Sequence, residues 1–211
     1  MASFRALRRQ FWLLLPALLA AAAAQGQPVA GATLVPSLRS GGYVIVMRHA
    51  SSPDAVPTAA QADPGNVKHE RQLDAAGRSA ARAMGRALHR LRIPVGQVLS
   101  SPTYRALETA RLAQLGRPKS VAQLGDAGHD MQIDPTGRRA EWLRQLVTMR
   151  PPAGTNTFVV TQSPNMTQAF PHDTAGLSAG EAMIFHPDGH GGSPVVARVK
   201  INGWARLAAA R

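Results

Sequence analysis

Two arginines and a histidine carry the clearest chemistry in this chain. Arg48 and His49 follow directly on the apolar, β-branched run Tyr43-Val-Ile-Val-Met and precede Ser51, Ser52 and Pro53. Such a run reads as a buried strand that ends where the loop residues begin. Inner strands of α/β folds deliver functional side chains at their carboxyl ends. The pair would therefore set a permanent cation beside a nucleophile or base. Arg105 lies in the stretch Ser100-Ser101-Pro102-Thr103-Tyr104-Arg105-Ala106-Leu107-Glu108-Thr109-Ala110. Ser101 suits an N-cap and Pro102 the first helical position, which predicts a helix to about Leu115, ended by Gly116. An arginine in a first helical turn is unfavourable unless an anion compensates it, and a phosphate would be held well there.

The elements that must position these groups alternate. Gln25 to about Ser40 is rich in Gly, Pro and Ala and reads as a tether. After His49, the segment Ser51–Val67 has no periodicity and reads as a long loop of the kind that shapes a site. Asp74 caps a predicted helix to about Leu91, with Ala76, Ala80, Ala83, Met84, Ala87, Leu88 and Leu91 on its apolar face. Arg78, Arg82, Arg86 and Arg90 fall at successive i, i+4 positions of that helix. Strands are predicted at Val95–Leu99, Val121–Leu124 and Thr157–Thr161, the last ending in Gln162-Ser163-Pro164-Asn165. An amphipathic helix spans Thr136 to about Met149, and another begins at Pro164. Glu181–Phe185 and Val195–Ile201 read as a closing antiparallel pair. The pattern predicts an α/β fold: a three-layer α/β/α sandwich, mostly parallel, with an antiparallel edge.

Composition narrows the partners. Arg5, Arg8 and Arg9 precede the apolar run Phe11–Ala24, a basic region and short hydrophobic core ending in small residues. That is the pattern of a secretory signal cleaved after Ala24, and the run is shorter than the roughly 20 residues a span needs. The expected organisation is a signal at 1–24, a linker at 25–40 and one domain at 41–211, with no membrane span after cleavage. There are no cysteines, which excludes disulfides and thiolate metal sites and suits a bacterial periplasm, or secretion. The formal charge of +12 favours anionic partners. With two Tyr, three Trp and five Phe, there is little sign of a base-stacking platform, and no nucleic acid is expected. His186-x-Asp188-x-His190, interleaved with Pro187 and Gly189, reads as a hairpin tip rather than a metal site.

The strand ending Arg48-His49-Ala50, the later Ser101-Pro102-x-x-Arg105-Ala106-x-x-Thr109-Ala110 and the late strand ending at Gln162 resemble the histidine phosphatase superfamily. The likeness is greatest to its small bacterial, phosphoglycerate mutase-like members. The resemblance implies a phosphomonoesterase with no cofactor and no metal, acting on a phosphorylated small molecule or phosphoprotein. It makes His49 the nucleophile that becomes a phosphohistidine, with Arg48 and Arg105 clamping the phosphoryl oxygens. Ser51 and Gln162 count among the substrate-binding residues. Gln162 stands where the family places a second pocket histidine; its amide N–H could still donate to a phosphate oxygen, without the charge. The nearest match to the family's general acid is Asp126, in Leu124-Gly125-Asp126, with Asp130 and Glu181 behind it. The substitution at Gln162 implies a slow phosphatase or, alternatively, a catalytically weakened module that binds phosphate or polyanions.

Overall fold

The computed structural model describes residues 31–125 and 136–210. Its centre is a six-stranded sheet of order β3-β2-β4-β1-β5-β6, built from β1 (Val44–Arg48), β2 (Val95–Ser100), β3 (Lys119–Ser120), β4 (Asn156–Thr161), β5 (Ala182–Phe185) and β6 (Val195–Val199). The pairs β1–β4, β2–β4 and β2–β3 are parallel, while β5 runs antiparallel to both β1 and β6. The mostly parallel sheet with an antiparallel edge is the architecture expected from the sequence.

Strand periodicity sorts the core into two layers. Ile45 and Met47 of β1, with Phe158 and Val160 of β4, pack into one cluster. Val44, Val46 and Val159 point the other way into a second. Successive side chains of a strand face opposite sides of the sheet, so a continuous apolar run fills both layers. The first cluster takes its helical residues from α1 (Gly31–Ser40), α2 (Ala75–Arg90), α3 (Tyr104–Ala113) and α6 (Gly203–Ala209); the second takes them from α4 (Arg138–Thr148) and α5 (Ser163–Ala169).

Three expectations are corrected. Residues 31–40 are not tether but helix: α1 buries Leu34, Val35 and Leu38 in the core, and the apolar i, i+1, i+4 spacing around Pro36 outweighs the composition. Asn156 locks that helix to the sheet. Its amide donates to the carbonyls of Leu38 and Pro94, both at 2.8 Å, and its carbonyl accepts the Tyr43 N–H at 3.1 Å. Val121–Leu124 is not a strand; the edge strand is Lys119–Ser120, followed by a 3-10 turn at Ala122–Leu124. The helix expected to start at Pro102 starts at Tyr104, with Thr103 as N-cap. The Ser101 hydroxyl is drawn instead to Thr103 and Gln162.

The tight seam between α2 and α3 needs glycine at one position. A Cβ at Gly85 would lie 1.9 Å from the Ala113 carbonyl oxygen. The two helices therefore pack backbone to backbone there.

Candidate active site

The strand order brings the two motifs together. Arg48 of β1 is in register with Thr161 of β4, and Ser100 of β2 with Val160 of β4. His49, Ser101 and Gln162 thus leave three neighbouring parallel strands at one level, at the carboxyl end of the sheet where such folds place their sites. Backbone bonds fix the exits: His49 N–H to Thr161 O at 3.0 Å, Ser101 N–H to Val160 O at 2.8 Å.

His49 is buried. Its Nδ1 lies 2.7 Å from the Ala50 carbonyl oxygen, an acceptor only, so Nδ1 carries the proton and Nε2 keeps its lone pair. Arg105 Nε donates towards that Nε2 at 3.2 Å. Burial, with the nearby positive charges of Arg105, Arg48 and Arg71, lowers the His49 pKa from 6.5 to about 4; the Ala50 bond opposes this and is outweighed. The imidazole is neutral near pH 7.

Arg105 comes from the first turn of α3 and is buried. Its Nε and Nη2 reach Gln162 Oε1 at 3.1 and 2.7 Å. The Gln162 amide nitrogen donates to Thr103 Oγ1 at 2.7 Å and Ser101 Oγ at 3.2 Å. A flipped amide would set N–H against N–H, so this orientation is the one the network permits. Arg48 donates from Nη1 to the Leu177 carbonyl at 3.3 Å, and its Nε is buried without a hydrogen-bond partner. Among the described residues it makes no ion pair.

A buried guanidinium nitrogen with no partner is expensive unless an anion arrives to take it. Thr109 braces the assembly: its hydroxyl accepts the Ala50 N–H at 3.1 Å and donates to the Arg105 carbonyl at 2.8 Å.

Other sequence candidates have structural employment. Ser51 donates to the carboxylate of Asp74 at 2.5 Å, and Asp74 accepts the Gly77 N–H at 2.6 Å to cap α2. Those two bonds hold the Asp74 carboxyl below its ordinary range. Glu181 is buried, accepting Arg198 Nε and Nη2 at 2.8 Å and the Ser178 N–H at 3.0 Å. Its carboxylate is fully committed to the edge of the sheet. Asp188 accepts the N–H groups of His190 and Gly192, closing the hairpin tip. Asp126 and Asp130 lie outside the described residues.

Sequence reasoning missed Glu70. Its carboxylate accepts the Tyr104 N–H at 2.8 Å, taking up a donor at the helix start where the sequence predicts a phosphate. Asn66 folds the chain to bring it there, donating to the Glu70 carbonyl at 2.6 Å and accepting its N–H at 2.9 Å. Arg71, next in line, donates to the Pro53 and Ser52 carbonyls at 2.7 and 3.3 Å. The long loop after His49 is thus stitched to both motifs. Only the Asn66-x-x-x-Glu70 spacing hinted at it.

Residues 44–126 match the sequence model of the histidine phosphatase superfamily, branch 1, a span that holds both motifs. No curated protein matches the chain. Among solved structures, the protein histidine phosphatase SixA complexed with tungstate aligns at 17% identity with a TM-score of 0.54, over 75% of this chain and 97% of that one. A mutant phosphoserine phosphatase from Entamoeba histolytica, in complex with phosphoserine, aligns at 13% identity and a TM-score of 0.50, over 74% of this chain and 95% of that one. Residues 44–126 therefore carry the sequence signature of the histidine phosphatase superfamily, branch 1, and the described residues share the fold of the histidine phosphatase SixA.

Proposed function

We propose that this protein is an exported phosphomonoesterase working through a phosphohistidine at His49. The observation that carries the reading is the state of the imidazole: Nδ1 tied to the Ala50 carbonyl, and a neutral, desolvated Nε2 facing the Arg105 guanidinium. In the reaction Nε2 attacks phosphorus, the N–P bond forms and the bond to the leaving oxygen breaks. Arg48 and Arg105 meet the charge spread over the equatorial oxygens. Asp126 protonates the leaving oxygen in this scheme. Water then attacks the phosphohistidine, releasing phosphate and restoring the neutral ring. The family match, and the phosphatase activity named for the two structural neighbours, support this reading. The basic and apolar start of the chain supports export to the periplasm or beyond.

In this reading Gln162 orients Arg105. With its N–H groups held by Ser101 and Thr103, it offers Arg105 a carbonyl. Its role is to aim the arginine, not to donate to the phosphoryl group. The pocket is then one charged donor short, a loss worth about 10²–10³ in rate.

Release of phosphate from p-nitrophenyl phosphate tests the scheme. Wild type turns over slowly, His49→Ala falls to background, and Gln162→His is about tenfold faster or more. If wild type and Gln162→His are both inert while wild type binds vanadate, the phosphate-binding module replaces the enzyme.

A further inference from the structure

We infer that the substrate is a linear phosphate polymer, whose terminal phosphate enters the His49 pocket while the chain lies along the arginine row of α2. The inference rests on the phosphatase reading for its terminal step. Its support is independent of that reading.

The row begins at the pocket. The amino end of α2 is pinned there because its cap, Asp74, holds the Ser51 hydroxyl, two residues after His49. A Cβ at Gly77 would meet the Ser51 carbonyl at 2.2 Å, so the helix and the catalytic loop touch backbone to backbone. Arg78 lies at the loop, donating to the Leu73 carbonyl and 4.0 Å from the Asp63 carboxylate. From there Arg82, Arg86 and Arg90 descend the exposed side. The span from Arg78 to Arg90 is about 18 Å at the helical rise.

Beyond Arg78 the charge is unopposed. The helix contains no Asp or Glu, and Arg82, Arg86 and Arg90 make no ion pair or side-chain hydrogen bond among the described residues. Rows of like charge at i, i+4 repel each other and destabilise the helix that bears them. A stable helix would gain from interleaved acids, and none is present.

The geometry selects the partner. Successive i, i+4 residues drift by about 40° around the helix, so Arg78 and Arg90 point about 120° apart. A flat bilayer touches only part of such a row, whereas a flexible chain follows it. Guanidiniums pair bidentately with phosphate. A chain of phosphates offers one such partner per step. The runner-up surface, an apolar groove of about 620 Å³ under β6 and α6 with Lys200 and Arg206 on its rim, has no comparable link to the site.

The test measures binding of short-chain linear polyphosphate to the full chain bearing His49→Ala, so that turnover does not consume the probe. Orthophosphate, polyglutamate and anionic phospholipid vesicles are measured beside it. Glutamine keeps helix propensity at these exposed positions. Adding Arg82→Gln, Arg86→Gln and Arg90→Gln should weaken polyphosphate at least about tenfold and flatten its salt dependence, with orthophosphate weakened far less. Unchanged polyphosphate affinity overturns the inference, as does equal weakening of orthophosphate. Binding of polyglutamate or vesicles as tightly as polyphosphate also overturns it. A wild type inert towards p-nitrophenyl phosphate counts against the enzyme reading alone; the row is scored by the binding difference.

Discussion

His49 and Gln162 leave adjacent parallel strands at the same level, both buried, with Arg105 held between them. The surroundings of the two side chains differ in kind. At the end of β1 the backbone carbonyl of Ala50 takes the only ring proton, so the side chain presents its Nε2 lone pair to Arg105. At the end of β4, two hydroxyls take the amide protons, so the side chain presents a carbonyl to the same arginine. In the proposed reaction the first end attacks phosphorus. The other holds the clamp in place, which accounts for an uncharged oxygen acceptor there: an acid would neutralise Arg105.

The sharpest way to break that contrast is Gln162→Glu, nearly isosteric and changed only in charge. A carboxylate against Arg105 forms a buried ion pair that competes with phosphate and repels it. Ser101 and Thr103 must also turn to donate. We expect turnover of p-nitrophenyl phosphate to fall about 10²–10³-fold, the loss typical of one preorganised transition-state donor, with phosphate affinity falling alongside. Retained activity would show that Arg105 is not aimed by Gln162.

The comparison also explains what the sequence could and could not disclose. Arg48-His49 and the motif around Arg105 are local: a strand or helix start, then a charged residue, and the pattern names both element and chemistry. Both layers of the core were equally legible, since β1 and β4 are continuous apolar runs. The missed features depend on contacts far apart in the chain. Glu70 finds the α3 terminus 34 residues away, and Asn156 ties α1 and β1 across more than a hundred. The amide orientation of Gln162 is set by hydroxyls on another strand's loop, which no spacing in the sequence reveals. The tether reading of 31–40 failed because Gly31 and Pro36 weighed more than three well-spaced apolar side chains.

The imidazole gives a second, smaller test. His49 has an ordinary pKa of 6.5 when unfolded and about 4 when folded. Between these values the unfolded chain binds the extra proton, so stability rises with pH. The contribution is complete above pH 6.5 and lost as the pH falls through 4, about 3 kcal/mol in all. Denaturant unfolding at pH 7 and pH 4, for wild type and for His49→Asn, isolates it, because the other groups titrate in both proteins. A difference that does not change with pH would mean that the ring is not held neutral by burial.

The smallest effect expected concerns the braces. Thr109 serves the β1 side and Thr161 the β4 side, where its hydroxyl donates to the Leu124 carbonyl at 2.7 Å and accepts the Asn165 amide at 3.1 Å. Thr109→Val keeps shape and removes the side-chain acceptor of the buried Ala50 N–H. Leaving that donor unsatisfied should cost about 1–3 kcal/mol, read as a lower denaturant midpoint with an unchanged slope. Because Ala50 also fixes the proton on Nδ1, the same change should lower kcat more than it raises KM. Thr161→Val should cost similar stability while moving kcat less, since its hydroxyl bonds Leu124 and Asn165 and its backbone bond to His49 is kept. Equal kcat losses in the two variants would mean that the β1 brace has no privileged hold on the nucleophile, and that the asymmetry between the strand ends lies in the side chains of His49 and Gln162 alone.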